Sequence, residues 1–239
     1  MAAGQALFPC LAIFILTMFT WLIDIAFAII KWPVALIAVI ILPWAASGFW
    51  DAFSKLTQNG IGPNDFLMGA IVYFVAWFFI FRSRLVGSYL STLEHELTHA
   101  IFAVLTLHRV KGLKITGYSG GHITYSGGMG NWLITISPYF VPTLAFLLLP
   151  IHVWVGPIPL FEFILGVTTS YHITSTYLET HEAQTDLQKT GKFFAWCFLP
   201  SANLLSYLFI FSWSDGGQEH ALESVSAVFE AVVAYWNEI

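Results

Sequence analysis

The chain has 239 residues, of which 57% are hydrophobic and only 10% are charged, and its formal net charge at pH 7 is −5. Its mean hydropathy of +0.74 excludes the balance of a soluble globular protein. We therefore expect the lipid bilayer to surround the chain, and we expect no nucleic-acid partner.

Apolar runs of about twenty residues, long enough to cross a bilayer, recur from end to end. They predict an all-α polytopic membrane protein with about seven transmembrane helices. We place these helices at residues 7–30, 33–50, 66–81, 85–107, 130–150, 159–178 and 193–211. A tight turn at Lys31, Trp32 and Pro33 is expected between the first two. The first run lacks a basic start and is too long for a signal peptide, so we expect it to be retained.

The first helix also carries a charged residue at membrane depth, Asp24. Such a residue predicts helix packing or an interfacial position rather than catalysis.

The fourth predicted helix carries the most informative motif, a His-Glu-x-x-His pattern formed by His95, Glu96 and His99. Two histidines four residues apart project from one face of a helix, where they can share one metal ion. Glu96 lies beside them, where its carboxylate can accept a proton from the attacking water. These groups and Glu94 are costly at lipid depth unless they face an interior and find partners, so we predict a functional site. The alternative is a structural polar cluster that holds helices together.

The segment after the motif helix is expected to form a small membrane-associated β-hairpin. Two short alternating stretches, residues 113–118 and 122–125, flank Ser119, Gly120 and Gly121. Docked beside the motif helix, the hairpin would present a strand edge to which an extended substrate could add. An ordinary loop is the alternative, and a solvent-facing position is expected for His122.

Together these motifs resemble the site-2 protease family of intramembrane zinc metalloproteases. The resemblance rests on residues 95–100, on the Gly-rich hairpin that follows, and on Ser137-Pro138, where the family often has Gly-Pro. It is closest to the compact peptidase-B-like branch, which lacks PDZ domains and has a similar Gly-Gly-x-x-Thr hairpin, here residues 120–124. The resemblance covers about residues 85–200.

We divide the chain accordingly into three regions. Residues 1–84 are N-terminal transmembrane helices of unrecognised role, residues 85–212 are the metalloprotease core, and residues 213–239 are an acidic amphipathic tail. Apolar residues recur at helical spacing in the tail, so we expect a short helix. This helix either lies on the outer membrane surface or packs back onto the bundle.

The third metal ligand is where the chain departs from the family pattern. The usual Asn-Pro…Leu-Asp-Gly motif is absent, and Tyr171-His172-Ile173 and Thr185-Asp186-Leu187 stand in its place. The similarity to the peptidase-B-like branch, which has Tyr-Asp-Ile and a later Ser-Asp-Ala at about this spacing, implies that His172 replaces the first Asp. Asp186 then keeps the second.

The position of each candidate along its helix favours His172. On a straight helix from Pro159, His172 would lie about 20 Å along, level with His95 and His99 at about 17 and about 22 Å, whereas Asp186 would lie about 40 Å along. Asp186 therefore stays the alternative third ligand. Glu179 or Asp186 could instead orient a ligand, because residues 172, 179 and 186 share one face of a continuous helix.

The basic residues predict an orientation in the membrane. The loop after the motif helix and the loop near residues 181–192 are expected on the cytoplasmic side, with the acidic tail opposite. Six basic residues support this orientation: Lys55, Arg109, Lys111, Lys114, Lys189 and Lys192. The active site is accordingly expected nearer the cytoplasmic face of a multi-pass integral membrane protein.

These observations predict an intramembrane zinc endopeptidase with one zinc ion (Zn2+) per chain. It would hydrolyse a peptide bond of a membrane-spanning protein, with a single-span protein as the expected partner, and Glu96 would be the general base. The alternative is a catalytically inactive membrane scaffold of the same fold, against which the intact Glu96 argues. A di-metal oxidase or a metal transporter is disfavoured, because the chain has only eight histidines and one pair at ligand spacing.

Overall fold

The computed structural model describes residues 2–58, 64–81, 87–116, 120–181 and 184–238, and most of them are helical. The described helices are α1 (Ala2–Thr57), α2 (Asp65–Ala76), α3 (Gly87–Leu105), α4 (Trp132–Ile136), α5 (Thr143–Val155), α6 (Pro159–Glu179), α7 (Thr185–Thr190) and α8 (Lys192–Asn237). A π-helical turn at Trp77–Phe81 extends α2, and a 3-10 turn at Ser137–Tyr139 follows α4. Two strands, β1 (Arg109–Thr116) and β2 (Gly120–Ser126), follow α3.

The predicted β-hairpin is confirmed. The two strands pair antiparallel, with Lys114 opposite His122 and an irregularity between Val110 and Gly112. The expected turn residue Ser119 lies outside the described residues, whereas Gly120 and Gly121 belong to β2. Helix α3 packs against both strands, which gives the hairpin the support that a two-stranded sheet needs.

The number of membrane spans is smaller in the described residues than the apolar pattern predicts. Two helices are long and apolar enough to cross a membrane, Ile13–Thr57 and Lys192–Asn237. The segments Trp132–Tyr139 and Thr143–Val155 meet at an angle of 82° and would add a third span if they cross together. The chain is therefore a membrane protein, while the count of seven spans stays a prediction.

The expected turn at Lys31, Trp32 and Pro33 is wrong, because α1 continues through these residues without a break. A proline inside a helix costs about 3 kcal/mol in isolation. Here α1 packs along α8, and the Lys31 ammonium donates a hydrogen bond to the Thr190 carbonyl at 2.7 Å. Packing against the rest of the fold thus outweighs the local turn signal.

The C-terminal tail packs back onto the bundle, which is the second of the two arrangements considered for it. The backbone of α8 kinks at Gly217, where φ is 79°. Beyond this kink Ala221 and Val228 are buried in the same apolar cluster as Ala45 and Ala52 of α1. The apolar face of the tail therefore covers α1.

A buried polar contact fixes the start of α4 against α1, as expected for a packing role of Asp24. Its carboxylate accepts hydrogen bonds from the Gly130 amide at 3.0 Å and from Asn131 Nδ2 at 2.9 Å. His108 Nε2 lies 3.2 Å from the same carboxylate. Asn131 also caps α4, because its side-chain oxygen accepts from the Ile134 amide at 3.1 Å. The position of Ile134, which borders the site described next, is set in this way.

Candidate metal centre

His95 and His99 lie on one face of α3, as the four-residue spacing requires. Their ring centroids are 4.7 Å apart, and both side chains are buried. This brings two imidazoles together within reach of a single metal ion.

Asp186, near the start of α7, completes a group of three potential ligands. Its Oδ2 atom lies 3.3 Å from His95 Nε2 and 3.3 Å from His99 Nε2. One ligand atom from each of the three residues lies within 4.8 Å of the others. Among the described residues, these three side chains form the group that could hold a metal ion.

The other ring nitrogen of each histidine is held by a separate group. His95 Nδ1 donates to Glu179 Oε2 at 2.6 Å, and His99 Nδ1 donates to the Ile134 carbonyl at 2.6 Å. These bonds place the proton on Nδ1 and leave the Nε2 lone pair of both rings directed toward Asp186. Metal-ligating histidines are oriented in this way, so the group fits a metal ion.

His172 lies outside this group of three. It is 2% exposed, and its Nδ1 accepts from the Tyr207 hydroxyl at 2.9 Å. Its Nε2 lies 3.3 Å from both the Pro138 carbonyl and the Thr176 hydroxyl. Both ring nitrogens are therefore engaged in contacts that join α6 to its neighbours.

The expected axial positions of His172 and Asp186 assumed one straight helix from Pro159, and the structure differs from that assumption. Helix α6 ends at Glu179, and α7 begins only at Thr185. Glu179, two turns beyond His172, is the residue of α6 that lies level with His95. Because the described residues Thr180, His181 and Gln184 are not helical, Asp186 lies beside the histidine pair and not two turns farther along one axis.

Glu96 is buried beside the histidines, where the hairpin covers it. A Cβ atom on Gly121 of β2 would lie only 2.3 Å from Glu96 Cγ and 2.7 Å from Glu96 Oε1. Glycine is therefore required at this position for the strand to approach the carboxylate. The next residue, His122, is exposed as expected.

Glu94 has a structural contact that the sequence pattern did not predict. Its Oε1 accepts a hydrogen bond from the Leu144 amide at 3.1 Å, at the first turn of α5. A carboxylate there satisfies an unpaired amide and lies at the positive end of the helix dipole. Glu94 thus joins the motif helix to α5.

Two further residues border the site. The Ile134 carbonyl orients His99, and no sequence signal could have identified it, since any residue has a carbonyl. The Tyr139 ring packs edge-on against the His95 ring at 5.3 Å. Tyr139 directly follows Ser137-Pro138, so the motif that carried the resemblance was a signal for it.

Comparison with known proteins agrees with the motifs. Residues 66–175 match the family model described as Peptidase M50B-like. This segment includes α3, the hairpin and His172, and it ends before Glu179 and Asp186. Neither a curated protein nor a solved structure matches the chain.

Proposed function

Because residues 66–175 form a Peptidase M50B-like region of the site-2 protease type, we propose that this membrane protein is an intramembrane zinc endopeptidase. Its substrate is a membrane-spanning protein, most simply a single-span one, cut within or near the bilayer. The observation that carries the proposal is the convergence of His95 Nε2, His99 Nε2 and Asp186 Oδ2 beside the buried Glu96.

The three converging groups are the proposed zinc ligands. Two imidazole nitrogens and one carboxylate oxygen form a donor set typical of catalytic zinc, with the fourth position left for water or substrate. A bound zinc ion would supply Lewis acidity that makes water nucleophilic at neutral pH. Glu179 and the Ile134 carbonyl hold the two rings in the binding orientation.

Glu96 is the proposed general base. It follows His95 directly on α3, and burial between the helix and β2 keeps its carboxylate away from bulk water. In this role Glu96 accepts a proton from the attacking water and then donates it to the leaving amine of the peptide bond. A single residue, Glu96, therefore both removes the proton from water and returns it to the product.

The hairpin is the proposed substrate guide. In the described residues β1 and β2 pair only with each other, so each has an edge available for another strand. An extended peptide that adds to such an edge is held straight by main-chain hydrogen bonds. Because Gly121 lies against Glu96, a peptide guided by the hairpin passes close to the proposed base.

The test compares Glu96→Gln with Glu223→Gln, which makes the same change on an exposed residue of the tail. Both proteins are reconstituted in liposomes with a single-span substrate, and cleavage and bound zinc are measured. We expect Glu96→Gln to keep zinc and lose cleavage, because no proton acceptor remains, while the control retains both. Near-normal turnover by Glu96→Gln would disprove the base role. A wild-type protein that binds no zinc and cuts nothing would indicate the inactive scaffold.

A further inference from the structure

Helix α1 lies outside residues 66–175, yet one of its faces contacts the elements that hold the metal centre. Four residues at spacings of four, three and four form this face: Thr20, Asp24, Phe27 and Lys31. They are buried or half-buried, whereas most of the residues between them are exposed. The Phe27 carbonyl accepts a hydrogen bond from Trp132 Nε1 of α4 at 2.7 Å. The face is therefore the side of α1 that meets the rest of the protein.

Asp24 is connected to His99 through the start of α4. Its carboxylate accepts from Asn131 Nδ2 at 2.9 Å, which leaves the side-chain oxygen of Asn131 directed at the Ile134 amide. The Ile134 carbonyl in turn accepts from His99 Nδ1 at 2.6 Å. Three hydrogen bonds thus lead from a residue that is 2% exposed on α1 to one of the proposed zinc ligands.

The same carboxylate holds both ends of the hairpin. His108, which directly precedes β1, places Nε2 at 3.2 Å from Asp24 Oδ2, and the Gly130 amide after β2 donates to this oxygen at 3.0 Å. A Cβ atom on Gly128 would collide with the carboxylate, so glycine is required for this close approach. The hairpin that covers Glu96 is therefore attached to α1 at both ends.

Lys31 is connected to Asp186 through the end of α7. Its ammonium donates to the Thr190 carbonyl at 2.7 Å and lies 5.0 Å from the centre of the Phe194 ring. A cation is favourable there, because the last carbonyls of a helix have no partner within it. Since α7 has only six residues, a bond at its end also fixes Asp186 one turn earlier.

We propose that α1 is a positioning helix of the metal centre. Asp24 and Lys31 are seven residues apart, about 10 Å along one continuous helix, and they hold the His99 and Asp186 sides of the site at a fixed separation. Both are positioning residues, because they act on the ligands through other residues. Charged side chains at membrane depth are costly, and this role accounts for both. The inference rests on the proposed function, since it concerns the same zinc site.

The first test measures zinc affinity per folded chain by competition with a chelating dye. Asp24→Asn turns an amide N–H toward Asn131, and Lys31→Met keeps the aliphatic stem but loses the ammonium. We expect each to bind zinc about 3- to 30-fold more weakly, a smaller loss than that of a ligand. Asp51→Asn and Lys55→Met, the same changes at exposed positions of α1, should leave the affinity unchanged.

Two rescue variants distinguish positioning from general destabilisation. Asp24→Asn combined with Asn131→Asp exchanges donor and acceptor, and the new carboxylate can accept from residue 24 and from the Ile134 amide, so zinc affinity should return. Lys31→Arg keeps a donor for the Thr190 carbonyl and should bind zinc normally. The visible absorption of bound Co²⁺, which responds to ligand geometry, should change in the single variants and recover in the rescued ones.

The double variant Asp24→Asn with Lys31→Met shows whether the two residues act together. Effects on separate neighbours about 10 Å apart would add. If α1 sets the separation of the two ligands, the first change already removes that constraint, so the double variant should bind zinc about as weakly as the weaker single variant.

Three results would overturn the positioning role: additive losses, rescue variants that stay weak, or full zinc affinity in folded single variants whose thermal stability is lower. A wild-type protein that binds zinc but cuts nothing would refute the peptidase alone, and the zinc affinities would still decide on α1. A wild-type protein that binds no zinc would refute both proposals.

Discussion

Replacing Asp186 with Ala is expected to remove the zinc, whereas replacing His172 with Ala is expected to leave it bound. Asp186 Oδ2 lies 3.3 Å from the Nε2 atoms of both motif histidines, while the two ring nitrogens of His172 face Tyr207 and the Pro138 carbonyl. The two variants therefore separate a ligand from a packed polar residue.

The size of the effect follows from the number of ligands. Zinc bound to protein sites has an apparent free energy of about 10–16 kcal/mol. If three ligands share it about evenly, the loss of one costs about 3–5 kcal/mol, and the dissociation constant rises by about 10²–10⁴-fold. The His172→Ala variant loses contacts with α8 and Pro138, so we expect it to unfold more easily but to bind zinc normally when folded.

The assay is metal content per folded chain after dialysis, combined with competition against a zinc-chelating dye. Asp51→Ala, on an exposed position of α1, is the matched control for Asp186→Ala. Thermal unfolding of each variant shows how much folded protein is present. Full zinc in Asp186→Ala together with loss of zinc in His172→Ala would refute the reasoning and restore His172 as the third ligand.

Three further predictions test the surroundings of the metal centre. Glu179→Gln weakens the bond that orients His95, so zinc affinity should fall by about 10–100-fold in a dye competition; unchanged affinity would show that the 2.6 Å contact is incidental. Gly121→Ala forces β2 away from Glu96, so we expect much slower cleavage with zinc retained. The control Gly112→Ala should cleave normally, because no atom lies within 4 Å of the added Cβ. Equal activities of the two variants would contradict the close packing of β2 on Glu96. An impermeant thiol reagent applied to intact cells should label Glu223→Cys but not Gly112→Cys, and the reverse pattern would invert the proposed orientation.

Local patterns were sufficient for the features that depend on neighbouring residues. The four-residue spacing of His95 and His99 places both on one face of any helix, and α3 has them there. The alternating stretches around Gly120 predicted the hairpin for the same reason, because strand pairing across a short turn is local. The Thr-Asp-Leu resemblance likewise pointed to Asp186, although axial distance argued against it.

Other features depended on packing between distant segments. The turn predicted at Pro33 does not form, because α1 packs continuously along α8. The tail packs onto the bundle, because α1 has an apolar face against which it can be buried. A helical wheel of α6 alone could not show that the helix ends at Glu179, since residues 172, 179 and 186 have the spacing of one continuous face. That end point decided which residue lies beside the histidine pair.

By itself, the sequence determined a membrane protein with a His-Glu-x-x-His helix and a hairpin after it, because hydropathy and periodicity are properties of short segments. Only the tertiary structure decided which carboxylate meets the two histidines and which groups hold their rings. Glu179, Asp186 and the Ile134 carbonyl come from three segments that lie 35 to 91 residues from the histidines they contact. Contacts over such separations depend on how helices end and pack, and no spacing rule along the chain encodes them.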